Sequence, residues 1–169
     1  LEFRRVLFRS TAKLQAGDLN RLVREAVASY QESGRVALET ALDPDLPTLE
    51  IDADQIRRLL SNLIDNAIAA VGERQELSPG PGSVELRTVH DAPLQVVRLE
   101  VADDGVGIPD ADRRRIFEPY FSTKDQGTGL GLAIVSRIVA DHGGYVRVHS
   151  NRPRGTRMIV ELPVRGHEA

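Results

Sequence analysis

The chain has 169 residues, with 22 basic and 25 acidic side chains and a formal charge of −3. That length suits one domain, and the near-balance argues against bulk electrostatic binding to nucleic acid or to an anionic membrane. It has no cysteine, which excludes a disulfide framework, a thiolate metal site and a cysteine nucleophile.

The first ten residues, Leu1 to Ser10, mix Arg4, Arg5 and Arg9 with Phe3, Val6, Leu7 and Phe8. They read as a non-native segment or the end of a truncated helix rather than a targeting signal, because the apolar stretch is short and no small-residue cleavage site follows. The abrupt start suggests a fragment of something larger. Residues 11–17 read as a linker and 166–169 as a tail, with one domain over 18–165. From Asp18, a capping residue, Leu19, Leu22, Val23, Ala26, Val27 and Tyr30 recur at helical steps, and Gly34 is a natural stop. Val36, Leu38 and Leu42 predict a strand ended by Asp43-Pro44; Leu49 and Ile51 predict a second, short one.

The strongest helix follows. Asp52 and Gln55 resemble a capping box. Ile56, Leu59, Leu60, Leu63, Ile64, Ala67, Ile68 and Val71 then form one apolar stripe, with Gly72 near its end. Leu77 to Gly82 is a loop by composition. Strands are expected over Val84–Val89 and Val96–Val101, joined by a linker from His90 to Leu94 that contains Pro93. Asp104 to Thr128 lacks regular periodicity, and a loop of that length is usually functional. A helix is expected from Gly129 to about Asp141, ended by His142-Gly143-Gly144. Strands at Tyr145–His149 and Thr156–Leu162 flank a turn at Asn151–Gly155. Such an alternation predicts a two-layer α/β sandwich, a mixed sheet covered on one face by about three helices. With no tryptophan, four Phe and three Tyr, its core must be mostly aliphatic. No apolar run approaches the roughly 20 residues of a membrane-spanning helix.

Four polar clusters interrupt this pattern. On the capped helix, Asn62 and Asn66 lie about 40° apart at ~100° per residue, well away from the centre of the apolar stripe. They are either exposed amides or a pair aimed into a cleft, where a carbonyl oxygen can complete a Mg²⁺ shell without adding negative charge. Straight after a strand comes Asp103-Asp104-Gly105-Val106-Gly107-Ile108-Pro109. This is a tight turn, or a place where glycines admit a flat ligand and a carboxylate accepts from an exocyclic amine. It is not the Rossmann fingerprint, since no third glycine opens a helix. In Ile116-Phe117-Glu118-Pro119-Tyr120-Phe121-Ser122-Thr123-Lys124, three aromatic rings anchor the loop on the core, with Pro119 fixing a turn. There Lys124 is a candidate phosphate contact. Gly127-Thr128-Gly129-Leu130-Gly131-Leu132 leads into a helix. Each glycine costs ~1 kcal/mol of helix propensity relative to alanine, so the segment is either a hinge or an anion site built from backbone N–H groups. It lacks the GxxxxGK[ST] of a P-loop.

In their order and spacing the four clusters resemble the N, G1, F and G2 boxes of sensor histidine kinases, in the GHKL superfamily with its Bergerat ATP-binding fold. The resemblance covers about Asp18 to Val164. The forms NLxxNAxxA, FxPYFSTK and GTGLGL look most like nitrogen-regulation sensor kinases of the NtrY and NtrB type. By that resemblance the cofactors are ATP and Mg²⁺. Asn66 coordinates the metal and Asn62 supports the same region. Asp103 reads the adenine amine, with Gly105, Gly107 and Ile108 around the base and Thr156 in the adenine and water network. Residues from about Ile108 to Thr128 form a lid, packed by Phe117 and Phe121. Thr123, Lys124, Gly127, Thr128, Gly129, Leu130 and Gly131 surround the phosphates, and Asn62 and Lys124 are the catalytic candidates.

Gyrase, MutL and Hsp90-type ATPases, by the same resemblance, carry Glu four residues before the magnesium Asn, and that Glu activates water. Here the position is Asn62, and an amide is no general base near neutral pH. A kinase is therefore expected over a GHKL-type ATPase; a non-catalytic nucleotide-gated interaction module is the remaining alternative. The acceptor histidine is absent. His90-Asp91 with Pro93-Leu94 superficially matches its motif, but the proline is too close and the segment links two strands, while His142, His149 and His167 fit no better. The resemblance thus implies a helical phosphoacceptor domain outside this chain and a response regulator as partners. It implies neither nucleic acid nor direct membrane contact, a monomeric isolated domain, and a cytoplasmic location under a parent anchored in the inner membrane.

Overall fold

The computed structural model describes residues 12–32, 34, 36–122 and 129–165. Among them the elements run β1 (Gln15–Gly17), α1 (Leu19–Gln31), β2 (Ala37–Ala41), β3 (Leu49–Ile51), α2 (Ala53–Leu77), β4 (Ser83–Asp91), β5 (Val96–Asp103), α3 (Gly131–Asp141), β6 (Tyr145–Ser150) and β7 (Thr156–Pro163). Five strands form one sheet in the order β2-β4-β5-β7-β6, and β1 and β3 form a separate pair. β2 runs parallel to β4, whereas the other neighbours are antiparallel. The sheet is therefore mixed, as expected. No helix among the described residues is long and apolar enough to cross a membrane.

Period-two alternation decides which face the helices cover. Val84, Leu86 and Thr88 of β4, Val97, Leu99 and Val101 of β5, and Met158, Val160 and Leu162 of β7 are buried. They meet Leu19, Leu22 and Val23 of α1, the long stripe of α2, and Val135, Ile138 and Val139 of α3 in a single aliphatic core. The opposite face carries ion pairs instead: Arg98 with Asp91 and Glu161, Arg147 with Glu161, and Arg157 with Glu100. Pairs at such a surface stabilise little, but they keep the face wetted.

The inward stripes of β5 and β7 each end in a polar residue. After Val101 the next inward position is Asp103, and before Met158 it is Thr156; both are buried. The register that sets Ala102 against Arg157 places this pair side by side. Thus the sheet delivers a carboxylate and a hydroxyl to its inner face at one end.

Both expected helix starts are capped. Asp18 accepts from the Arg21 N–H at 3.0 Å. Asp52 Oδ1 accepts from Asp54 and Gln55 N–H at 3.1 and 3.2 Å; a cap of this kind is worth about 1 kcal/mol. The capping box is not reciprocal, because the Asp52 N–H donates to His142 Nε2 at 3.0 Å. Imidazole Nδ1 of His142 then lies 2.7 Å from the Ile138 carbonyl, so Nδ1 carries the proton. The fully buried ring joins the start of α2 to the end of α3. Asp52 Oδ2 also accepts from the Lys13 N–H at 2.9 Å. Those donors hold the Asp52 carboxyl below its usual range, the Lys13 bond contributing most.

Several boundaries differ from expectation. Gln15–Gly17, read as linker, pair with Leu49–Ile51 as β1; a three-residue strand has too few positions to show a period. α2 continues through Gly72 to Leu77, because Val71 and Arg74 still bury against the core. His90 and Asp91 belong to β4 rather than to a linker, since β5 pairs with them as far as Val96. α3 starts at Gly131, not Gly129. At Gly129 φ is +68°, outside the helical region, and its carbonyl accepts from the Tyr120 N–H at 2.9 Å.

The far end of the sheet holds a polar knot. Thr88 Oγ1 donates to Asn20 Oδ1 at 2.7 Å and accepts from the Asp43 N–H at 3.0 Å. Asn20 Nδ2 donates to the Asp43 carbonyl at 2.7 Å. The Asp43 carboxylate accepts from the N–H groups of His90 and Asp45, which hold its pKa below the usual range, His90 foremost.

Candidate functional site

A cavity of about 420 Å³ lies between α2, the inner ends of β5 and β7, and the start of α3. One flank of α2 supplies Asn62, Asn66, Ala70 and Glu73, spaced so that they share a helix face. This flank adjoins the buried stripe, so both asparagines are half-buried rather than exposed. Of the expected residues, Asn62, Asn66, Asp103, Gly107, Ile108, Phe121, Gly129, Leu130, Gly131 and Thr156 all line the cavity. Thr123, Lys124, Gly127 and Thr128 lie outside the described residues.

The Asp103 end is held by backbone. Asp103 Oδ1 accepts from the Gly105 N–H at 2.9 Å and the Thr156 N–H at 3.3 Å. The Asp103 carbonyl accepts from Asn151 Nδ2 at 2.9 Å. A Cβ on Gly155 would come within 1.9 Å of that carbonyl, so the β6–β7 turn presses on Asp103 in a way only glycine permits. Gly105 does not line the cavity. It lets the loop lie on α2, where a Cβ would stand 2.5 Å from the Ala70 backbone, and Val106 N–H donates to the Ala70 carbonyl at 3.2 Å.

At the other end, Asn62 Nδ2 donates to the Arg58 carbonyl at 2.8 Å. This turns Oδ1 toward the first turn of α3. A Cβ on Gly131 would sit 3.0 Å from Asn62 Oδ1 and 3.7 Å from Asn66 Nδ2, so glycine there lets α3 approach both amides. Among the described residues no side chain caps α3, and its first turn lines the cavity with Gly129, Leu130 and Gly131. Val101, Ile108, Ile116, Leu132 and Met158 make the middle apolar. Phe121 joins them and carries the Arg115 guanidinium 4.5 Å from its ring centre. Phe117 packs on the core instead of lining the cavity.

Several contributors gave no signal in the sequence. Asp65 lines the cavity, and its Oδ1 accepts from the Tyr30 hydroxyl at 2.7 Å. Burial, then this bond and the charge of Asp65, push the Tyr30 pKa up to about 12. Arg74 is buried beneath the Asp103 loop. Its Nη2 is 3.3 Å from both Asp104 carboxylate oxygens and 2.8 Å from the Pro81 carbonyl, while Nε donates to the Asp104 carbonyl at 3.3 Å. The contacts of Tyr30 with Asp65 and of Arg74 with Asp104 span 35 and 30 residues, so no local pattern encodes them.

The cavity thus offers a carboxylate end, an apolar middle, and an end of two amides facing an uncapped helix start. The sequence profile of the histidine kinase-, DNA gyrase B- and HSP90-like ATPase family matches residues 51–166. The chain belongs to this family. It is similar to the sensory histidine kinase/phosphatase NtrB of Rhodobacter capsulatus, 40% identical over 133 residues, which are 72% of this chain and 35% of NtrB. It therefore spans about a third of that relative's length. Among solved structures, the catalytic domain of histidine kinase ThkA superposes with a TM-score of 0.76 at 33% identity, covering 89% of this chain and 95% of that one. ThkA in complex with the response regulator protein TrrA gives 0.74 at 26% identity, over 99% of this chain and 47% of that one. The chain has the fold and family of a histidine kinase catalytic, ATP-binding domain, so the expected GHKL fold and the likeness to NtrB are borne out.

Proposed function

We propose that this histidine kinase-type domain binds Mg·ATP in the cavity and presents the γ-phosphate to a histidine on a helical phosphoacceptor domain outside the chain. The reading assigns the adenine amine to Asp103, the base to the apolar middle, and the phosphates to the end where Asn62 and Asn66 face α3. The observation that carries it is this polarity: the carboxylate and the uncapped helix start lie at opposite ends of one cavity. A carboxylate accepts from an amine, and a helix start favours an anion.

The charge of the lining fits a cation. Among the described residues it includes Asp65, Glu73 and Asp103 but no lysine or arginine, so phosphates entering there need added positive charge. Mg²⁺ takes few protein ligands and keeps phosphate and water oxygens, which suits the Asn66 carbonyl oxygen, with Asn62 beside it and Asp65 tied back by Tyr30. When bound, the metal would neutralise charge on the phosphate oxygens. Lys124 is the proposed cationic contact, and Thr123, Gly127 and Thr128 complete the phosphate end.

Asn62 directs the chemistry. Its amide has no basic lone pair for a water proton at neutral pH, whereas an acceptor imidazole brings its own nucleophile. The domain should therefore bind nucleotide yet neither hydrolyse it steadily nor phosphorylate itself. A response regulator partner follows from the same reading, supported by the likeness to ThkA in complex with TrrA, and the reading carries a cytoplasmic setting with it. The test mixes the domain with radiolabelled ATP, with and without a matching phosphoacceptor domain. Acid-labile, base-stable label on the acceptor is expected. Steady phosphate release by the isolated domain, or no transfer to any matching acceptor, would overturn it.

A further inference from the structure

The nucleotide cavity has a second compartment. A groove of about 610 Å³ shares Glu73, Val106, Gly107 and Ile108 with it, then continues between Pro109 and Asp112 on one side and the β6–β7 turn on the other. That turn fixes which end of the cavity the groove joins. Asn151 and Gly155 line the groove and are the two residues pressed on the Asp103 carbonyl. None of the groove's lining residues comes from α3 or from the Asn62 and Asn66 turns of α2.

The junction is open because glycine faces glycine. At Gly107, with φ of +80°, a built Cβ would meet only Gly155 within 4 Å, its carbonyl oxygen at 3.6 Å. Backbone, not side chain, bounds the passage on both sides. Beyond it stand Glu73, Asp112 and Arg154, whose side chains make no hydrogen bond or ion pair among the described residues. Two carboxylates against one guanidinium give the groove a negative excess, and Glu73 is the member at the passage itself.

We propose that the base pocket accepts adenine nucleotides whose exocyclic amine carries an aminoalkyl chain, with the chain in this groove and its ammonium beside Glu73 and Asp112. The chemistry is selective. A singly substituted amine retains one N–H for Asp103; a doubly substituted amine retains none and leaves a buried carboxylate without that donor. The inference rests on the proposed orientation of ATP, with the amine at Asp103.

Calorimetry with Mg²⁺ and four probes tests it: ADP, N6-(6-aminohexyl)-ADP, N6-hexyl-ADP and N6,N6-dimethyl-ADP. The aminohexyl probe should bind within about fivefold of ADP, and the dimethyl probe at least about tenfold more weakly than ADP. Asp112→Lys should weaken the aminohexyl probe several-fold more than it weakens ADP or the hexyl probe. An aminohexyl probe more than about fiftyfold weaker than ADP would overturn the groove assignment, as would dimethyl-ADP binding like ADP. An Asp112→Lys variant that binds the aminohexyl probe like the parent would overturn the placement of its ammonium. Failure of ADP itself to bind would instead overturn the proposed function.

Discussion

Replacing Arg74 by methionine keeps an unbranched stem and removes only the guanidinium. The Arg74 side chain is 6% exposed and that of its partner Asp104 26% exposed, so solvent screens the pair little. Breaking a buried pair from one side costs about 3–5 kcal/mol. Two facts place this site at the lower end. Asp104 Oδ1 retains the Ser83 N–H at 3.0 Å, and three of the arginine's bonds are long, at 3.3 Å. A loss of about 3 kcal/mol is expected, which for a chain of this size lowers Tm by roughly 6–12 °C. Arg74→Ala should lose more, since it also leaves a cavity where the stem packed. Arg74→Lys should recover part, keeping the charge but not the fork. Scanning fluorimetry and urea titration measure the series. Because Arg74 underlies Asp103, saturating Mg·ADP should raise the Tm of the methionine variant, yet with weaker affinity. A methionine variant that melts within about 2 °C of the parent would refute the view that this arginine carries the loop.

Asp103→Asn should weaken Mg·ADP binding by roughly ten- to hundredfold, the worth of one charge-assisted hydrogen bond, and Asn66→Asp should weaken it by adding a fourth carboxylate to the lining; calorimetry reads both. Gly105→Ala forces a methyl into the Ala70 backbone and should cost on the order of 1–3 kcal/mol, measured by urea unfolding. Asp43 and Asp52 have folded pKa values below the ordinary 3.8, so their stabilisation is complete above that value and lost as pH falls beneath it. Asp43→Asn and Asp52→Asn should each flatten the acid limb of a stability–pH profile, and an unchanged limb would count against the assigned bonds. Tyr30, raised from 10.0 to about 12, should stabilise fully below pH 10 and lose that contribution between 10 and 12. The ultraviolet difference titration between parent and Tyr30→Phe should show that late ionisation, and Asp65→Asn should bring it earlier.

The fold was legible where local signals agree. Asp18 and Asp52 cap the helices expected of them, and the strands expected over Val84–Val89, Val96–Val101 and Thr156–Leu162 form as β4, β5 and β7. The site was legible as four clusters, nine of whose expected site residues meet Thr156 at one cavity. What was hidden depends on tertiary contact. β1 exists only because β3 pairs with it. Helix α3 begins two residues late because Gly129 closes on Tyr120. Phe117 was expected to pack a lid and Gly105 to lie around the base, yet one packs on the core and the other seats a loop on α2. The partnership of Tyr30 with Asp65, and of His142 with Asp52, spans 35 and 90 residues, beyond any periodicity.

The manner in which Asp103 is held bears on the entropy of binding. Its carboxylate is oriented by two main-chain donors, and its peptide is fixed by Asn151 and by contact with Gly155. No rotamer search remains at this position when a base arrives, so the loss of side-chain freedom that usually opposes association, about 0.5–1.5 kcal/mol per residue, is already met in folding. The donors are backbone atoms, so substitution at position 156 by any residue but proline leaves this orientation intact provided the strand register holds. Recognition at this end is thereby a property of the sheet rather than of the side chains around it.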